Sequence, residues 1–185
     1  MGKIVSNFFI SADGVVEAPD QWHLPYWDDD MAGAVATGFE TVEALLMGRR
    51  LFDEWAAYWP TSDDEPIATT FNELPKHVVS STLDDTAAAS AWSNTSVVRP
   101  SADAVCAVKA SVDGDIMMSG SATTVRWLLG EGLLDELRLL VHPIVVGKGQ
   151  RLFEDDGPTG VPLRVVSCET FASGVLNLAY APAQG

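Results

Sequence analysis

Positive charge is scarce in this chain. Its 185 residues carry 11 Lys and Arg against 26 Asp and Glu, a formal net charge of −15. Such a chain repels polyanions, which excludes non-specific binding to nucleic acid or to an anionic membrane surface and favours solubility. A small anionic ligand is not excluded, because it responds to local charge. Cysteine is equally scarce. Cys106 and Cys168 lie far apart with no CxxC or CxxH spacing, and they read as two buried small residues in a reducing compartment. Metal-ligand patterns are missing too: there is no HExxH, no two-His-one-carboxylate spacing and, for serine hydrolases, no GxSxG. The stretch "MGKIVSNFFISADG" has one lysine and a broken apolar run, which makes it neither a signal peptide nor a membrane span. The expectation is a cytoplasmic protein. No repeat, low-complexity tract or long linker divides the chain, so residues 1–185 read as one domain.

What is present is an alternation of short apolar runs and helix-like stretches. "KIVSNFFISADG" has strand composition and ends in the turn signal Asp13-Gly14. "VVEAPDQWHLPYWDDD" is rich in Pro and Trp and reads as a long loop that packs aromatics. A helix opened by acidic residues follows in "DDDMAGAVATGFETV", then the strand "ALLMG", then the helix "RRLFDEWAAYW" stopped by Pro60. "IATTFNEL" suits a short helix, "KHVVSS" and "TSVVR" two strands, and Ser101 can cap a helix over "ADAVCAVKASV". "DIMMSGSATTVRWLLGEG" repeats the strand, small-residue turn and helix. "ELRLLVHPIVVG" reads as one long apolar strand, and the tail as two strands joined near Ser173-Gly174. The pattern predicts an α/β fold: a mostly parallel sheet covered on both faces, with an antiparallel C-terminal hairpin.

In such a sheet ligands gather beyond the carboxyl ends of the strands. Three exits carry suggestive residues. At Gly48-Arg49-Arg50 a glycine permits close approach, a new helix presents free N–H groups and arginine offers bidentate phosphate contacts. At Ser119, Gly120, Ser121, Ala122, Thr123 and Thr124, small residues and hydroxyls open a second helix, although the run is neither GxGxxG nor a P-loop. Ser80 and Ser81 follow the strand "HVV". Singly, each exit also reads as an ordinary helix start or turn. Together they suit a long ligand with several phosphates, such as a dinucleotide.

The order of motifs from "ISADGVV" through "LLMGRRLF", "HVVSST" and "MMSGSATTVRWLL" to "LDELRLLVHPIVVGKGQRLF" resembles the dihydrofolate reductase-like fold. Within it, the ending "VVGKGQRLF" is similar to the branch related to the C-terminal reductase domain of bacterial riboflavin biosynthesis. The resemblance implies a three-layer fold and NADPH. Gly48, Arg49 and Arg50 would hold phosphates, with Arg49 near the adenosine 2′-phosphate. Ser80 and Ser81 would lie along the adenosine ribose, and Ser119 to Thr124 would cradle the pyrophosphate. Leu51 stands where many relatives have Thr or Ser, and the glycine-rich turn is reduced to Gly120-Ser121-Ala122.

Family chemistry is hydride transfer from nicotinamide, assisted by at most one protein acid. Asp13, Glu17 and Asp28 to Asp30 surround the presumed cleft, and Asp13, Asp28 and Asp30 are the catalytic candidates. Dihydrofolate reductases keep an acid at the start of the first helix, a position that either Asp28 or Asp30 matches; as plain helix caps they would face solvent. Trp22, His23 and Trp27 in the aromatic loop are candidates to wall a small heteroaromatic substrate. His142 reads as a hydrogen-bonded structural imidazole. The resemblance implies a pyrimidine or pterin substrate, first among them 5-amino-6-(5-phosphoribosylamino)uracil, and a homodimer. Dihydrofolate reduction, and NADPH binding without turnover, are the alternatives.

Overall fold

A computed structural model of the chain describes residues 1–154 and 157–183. Strand β1 (Lys3–Ser11) alternates as a strand buried on both faces must. Ile4, Phe8 and Ile10 enter one core, while Phe9 turns to the opposite side. Then follow α1 (Asp29–Phe39), β2 (Val42–Gly48), α2 (Arg49–Tyr58), α3 (Ile67–Glu73), β3 (Lys76–Val79), α4 (Asp85–Ala91) and β4 (Thr95–Val98). The second half comprises α5 (Ala102–Ser111), β5 (Asp115–Met118), α6 (Ala122–Gly130), β6 (Glu136–His142), β7 (Leu163–Thr170) and β8 (Leu176–Pro182).

The eight strands form one sheet in the order β4-β3-β2-β5-β1-β6-β8-β7. Strands β1 to β6 run parallel, and β8 pairs antiparallel with both β6 and β7. This is the expected α/β architecture with its C-terminal hairpin. On one face α5 and α6 pack Val105, Val125 and Leu128 onto Ile4, Leu46 and Ile116. On the other, α2, α3 and α4 pack Phe52, Phe71 and Ala88 onto Leu45, Val78 and Met117. Each large apolar side chain so buried contributes roughly 1.5–3 kcal/mol. The second face is not continuous: a separate cluster gathers Met31, Phe171 and Val175 under α1. Between these two clusters the sheet is left open, and there the cavity lies.

Several of the few cations are buried and clamp the frame from inside. Lys76 is fully buried, and its Nζ donates to the carbonyls of Phe71, Asn72 and Leu74 at 2.8, 3.1 and 2.7 Å. A cation there satisfies the bare C-terminal carbonyls of α3. Burial pushes its pKa down to about 8. Lys109 donates to Leu133 O and to Asp135 at 3.2 and 2.6 Å, and Arg126 to the carbonyls of Arg151 and Leu152.

Three expectations need correction. The strand read as "ELRLLVHPIVVG" stops at His142, because Pro143 has no N–H to extend the ladder; a loop with Gly147 and Gly149 at positive φ follows. Helix α4 is additional: its run Asp85-Thr-Ala-Ala-Ala-Ser-Ala lacks an apolar period, but Asp84 caps it by accepting from Ala87 N. Cys106 and Cys168 are exposed, not buried.

Candidate active site

The carboxyl ends of β2 and β5 are locked together. Gly48 N donates to Gly120 O at 3.4 Å, and Ser121 Oγ lies 3.0 Å from Thr124 Oγ1. A Cβ on Gly48 would fall 2.2 Å from Ser121 Oγ and 2.4 Å from Thr124 Oγ1, so only glycine allows this approach. Gly120 sits at φ +135°, another conformation reserved for glycine. The consequence is electrostatic. Helices α1, α4 and α5 have their first N–H groups capped by the side chains of Asp28, Asp84 and Ser101. At α2 and α6 the N-cap residues, Gly48 and Ser121, make no such bond. Two neighbouring helix N-termini thus keep their N–H groups for something else, and such groups suit an anion.

Strand register extends this edge. Gly48 pairs with Val79 and Val79 with Val98, which sets Arg49, Ser80 and Arg99 in a row one residue further on. Arg49 Nε shares a hydrogen bond at 2.8 Å with both oxygens of Asp53 while the side chain stays exposed. Ser80 is buried, and its Oγ accepts from the N–H groups of Thr82 and Leu83, making it a turn former; Ser81 is exposed. Arg99, which the sequence reading left unassigned at the end of a strand, donates at 3.0 Å to the carbonyls of Ser80 and Leu83. Thr123 Oγ1 accepts from Arg126.

Beneath this edge opens a cavity of about 1410 Å³ between α1 and the α2–α3 pair. Of the residues expected around a cofactor, Arg50, Leu51 and Ser119 to Ala122 line it, whereas Gly48, Arg49, Ser80, Ser81, Thr123 and Thr124 do not. Arg50 is held by Glu17 at 3.0 Å and Glu54 at 3.1 Å. The Gln150 N–H and Arg50 together hold the Glu17 carboxyl below its usual range.

The three candidate acids separate clearly. Asp13 Oδ1 accepts from Ser11 Oγ at 2.7 Å and Val146 N at 3.0 Å, and Oδ2 from Gly147 N at 2.9 Å. The Ser11 hydroxyl, followed by the Val146 N–H, lowers its pKa to about 2. It is a clamp between two loops and does not line the cavity. Asp28 caps α1 through Met31 N and accepts Ser173 N, both at 2.9 Å, and these bonds lower its pKa. It lies off the cavity as well. Asp30 lines the cavity, with Oδ2 accepting Ala172 N at 3.1 Å. Asp28 and Asp30 therefore tie the turn of the C-terminal hairpin to α1.

The aromatic loop divides in the same way. His23 and Trp27 line the cavity, and His23 stacks on Phe9 with ring centroids 4.6 Å apart. Trp22 is buried, donates Nε1 to Glu17 O at 3.1 Å and packs edge-on to His142. His142 is fully buried, with Nδ1 2.8 Å from Leu140 O. Burial pushes both imidazoles below their usual pKa, which favours the neutral rings at pH 7. The far wall is aromatic too, and none of its members was a site candidate in the sequence. Trp55, Trp59 and Phe39 meet Phe71 at 4.8, 4.7 and 5.5 Å, and all four line the cavity. Among the described residues no group of three or more His, Cys, Asp or Glu is placed to hold a metal, and no helix is long and apolar enough to cross a membrane.

Residues 2–177 match the RibD C-terminal domain. The chain belongs to the RibD C-terminal domain family. Among curated proteins it is 28% identical over 186 residues to the uncharacterized protein YyaP of Bacillus subtilis (strain 168), covering 96% of this chain and 94% of that one. Among solved structures it is similar to a Shewanella sp. PV-4 protein ascribed by name to riboflavin biosynthesis, with TM-score 0.77, 20% identity, and coverage of 98% and 99% of the two chains. It is also similar to Enterococcus faecalis dihydrofolate reductase complexed with NADP(H), with TM-score 0.66, 16% identity, and coverage of 99% and 98%. At these identities the structural likenesses speak for the fold. For this RibD C-terminal domain they agree with the sheet order and the hairpin described above.

Proposed function

We propose that this chain is an NADPH-dependent oxidoreductase that reduces a planar heteroaromatic substrate of the pyrimidine or pterin kind. One observation carries the reading: the two uncapped helix N-termini of α2 and α6, held side by side by the Gly48–Ser121 approach, lie directly above an aromatic-walled cavity. The residues fit the cofactor. Backbone N–H groups at the starts of α2 and α6 would take the pyrophosphate, and Arg49, Ser81 and Arg99 border the neighbouring strand ends where a further phosphate can be met. Leu51 adds an apolar contact in place of a hydroxyl. When bound, NADPH supplies a hydride to an electrophilic carbon of a C=N or C=O bond and leaves as NADP⁺.

The protein's part is position and protons. Phe9, His23 and Trp27 on one side and the Trp55, Trp59 and Phe71 wall on the other hold a flat ring and exclude water. Asp30, fixed through Ala172 N, is the acid placed to pass the balancing proton from solvent to the reduced substrate. The test follows the loss of reduced nicotinamide absorbance across a panel of pterins, pyrimidines and quinones. With an accepted substrate, Asp30→Asn should lower turnover by about 10²–10⁴ while NADPH affinity is retained. Wild-type turnover in that variant would remove Asp30 from the chemistry, and failure of NADPH to bind the wild type in calorimetry would remove the reading itself.

A further inference from the structure

The cavity has a charge preference of its own. Among the described residues nine carboxylates and two arginines line it, and no lysine does. Neither arginine stands alone. Arg50 lies between Glu17 and Glu54, and Arg138 donates to Glu136 at 2.5 Å. An anionic group entering this space meets carboxylates with no ion pair among the described residues, such as Glu40 at the end of α1 and Asp64 in the loop before α3. Partial enclosure between low-dielectric walls strengthens that repulsion. The cofactor phosphates would be met by the uncapped N–H groups at the starts of α2 and α6, which offset that field locally.

A second, independent observation concerns the aromatic walls. The Nε1 of Trp59 and the Nδ1 of His23 are both buried without a hydrogen-bond partner, and both residues line the cavity. Indole N–H is a donor only, so it calls for an acceptor such as a ring nitrogen or a carbonyl. Most buried polar atoms in folded proteins are paired; Ser6 Oγ, His142 Nε2 and Ser173 Oγ also lack a partner here, but those residues do not line the cavity. Flat walls, an indole donor and a surplus of negative charge describe one kind of ligand.

We propose that the substrate taken by this cavity is a planar aromatic molecule with neutral acceptor atoms and no phosphate or carboxylate. The proposal deepens the reductase reading above and rests on it for the word substrate. It sets this chain apart from the phosphoribosyl pyrimidine that the family resemblance puts first, whose phosphate would need a free cation here.

Matched pairs test it: a ribosylaminouracil against its 5-phosphate, and a dihydropterin against dihydrofolate, which adds a carboxylate tail. Quenching of tryptophan fluorescence reports binding without turnover, since Trp55 and Trp59 are in the wall. In each pair the member lacking the anion should bind at least tenfold tighter, with the gap narrowing as salt is raised. Glu54→Gln, which frees Arg50 from one partner, should improve the anionic member several-fold and leave the neutral one nearly unchanged. Equal or tighter binding of the anionic members, or quenching by neither member of either pair, overturns the proposal. Calorimetry with NADPH is run in parallel. Loss of NADPH binding sinks the reductase reading alone, because the paired comparison is made with and without cofactor.

Discussion

Arg49 stands at the first turn of α2 with its Nε held by Asp53, an arrangement that pre-orients a guanidinium whose other donors remain available. If those donors meet the 2′-phosphate, Arg49→Ala loses a charge-assisted bond worth about 1.5–3 kcal/mol. The expected result is NADPH weakened roughly ten- to a hundredfold, since about 1.4 kcal/mol is tenfold, with NADH hardly affected. Titration calorimetry with both cofactors decides; equal weakening of the two would place Arg49 on the shared pyrophosphate. At this scale the sequence was readable where a residue type answers a local need. Gly48 is such a case, because the demand for a missing Cβ shows as glycine. It was unreadable where a side chain's partner lies far along the chain. Asp13, Asp28 and Asp30 look alike in sequence, and only partners such as Val146, Ala172 and Ser173 separate two clamps from one cavity-facing acid. Trp55 and Trp59 were hidden for a related reason: a helix surface carries no mark of whether a neighbour covers it or a cavity adjoins it.

Between elements the same clamps set the response to acid. Asp13 joins the end of β1 to the loop after β6, and its pKa falls from 3.8 to about 2 on folding. A depressed carboxylate contributes stability above its unfolded pKa and loses it as pH drops towards the folded one. Stability from Asp13 is therefore complete above about pH 4 and lost between about pH 4 and 2. Asp28 and Glu17, also depressed, add to the same acid limb. Thermal unfolding followed against pH should show a shallower limb in Asp13→Asn than in wild type; an unchanged slope would mean the clamp does not survive in solution. Elements themselves were largely legible, because many strands here are short apolar runs followed by Gly, Pro or Ser, and α1, α5 and α6 open on an acid or a hydroxyl. The misses have physical causes. Pro143 ends the ladder of β6 although the apolar run goes on, and α4 is held by its Asp84 cap and local bonds with little apolar periodicity to announce it.

For the molecule as a whole, the sheet has two ends and they differ. Strand β7 closes one end with side chains exposed along nearly its whole length, Val165 and Val166 being 59% and 47% exposed. A bulge between Val165 and Ser167 twists this edge, which discourages open-ended stacking of further strands. The expectation is a closed homodimer that covers this surface. Light scattering should return twice the 19.8 kDa chain mass at micromolar concentration, and Val165→Glu with Val166→Lys should return it to the single chain. A single-chain mass for the wild type would refute the dimer.

The position of β1 has a consequence for how the molecule is made. It lies between β5 and β6, pairing Lys3 with Asp115 and Ser11 with His142, so both neighbours are synthesised more than a hundred residues later. At about 5–20 residues per second of translation, the strand waits on the order of ten seconds for its partners. Throughout that interval Ile4, Val5, Phe8 and Ile10, all buried in the finished fold, belong to a strand that lacks both of its hydrogen-bonded neighbours. Newly made chains are thus most vulnerable to aggregation before the ribosome reaches residue 142, and helper chaperones that cover apolar strands should matter for yield far more than for the activity of the folded protein.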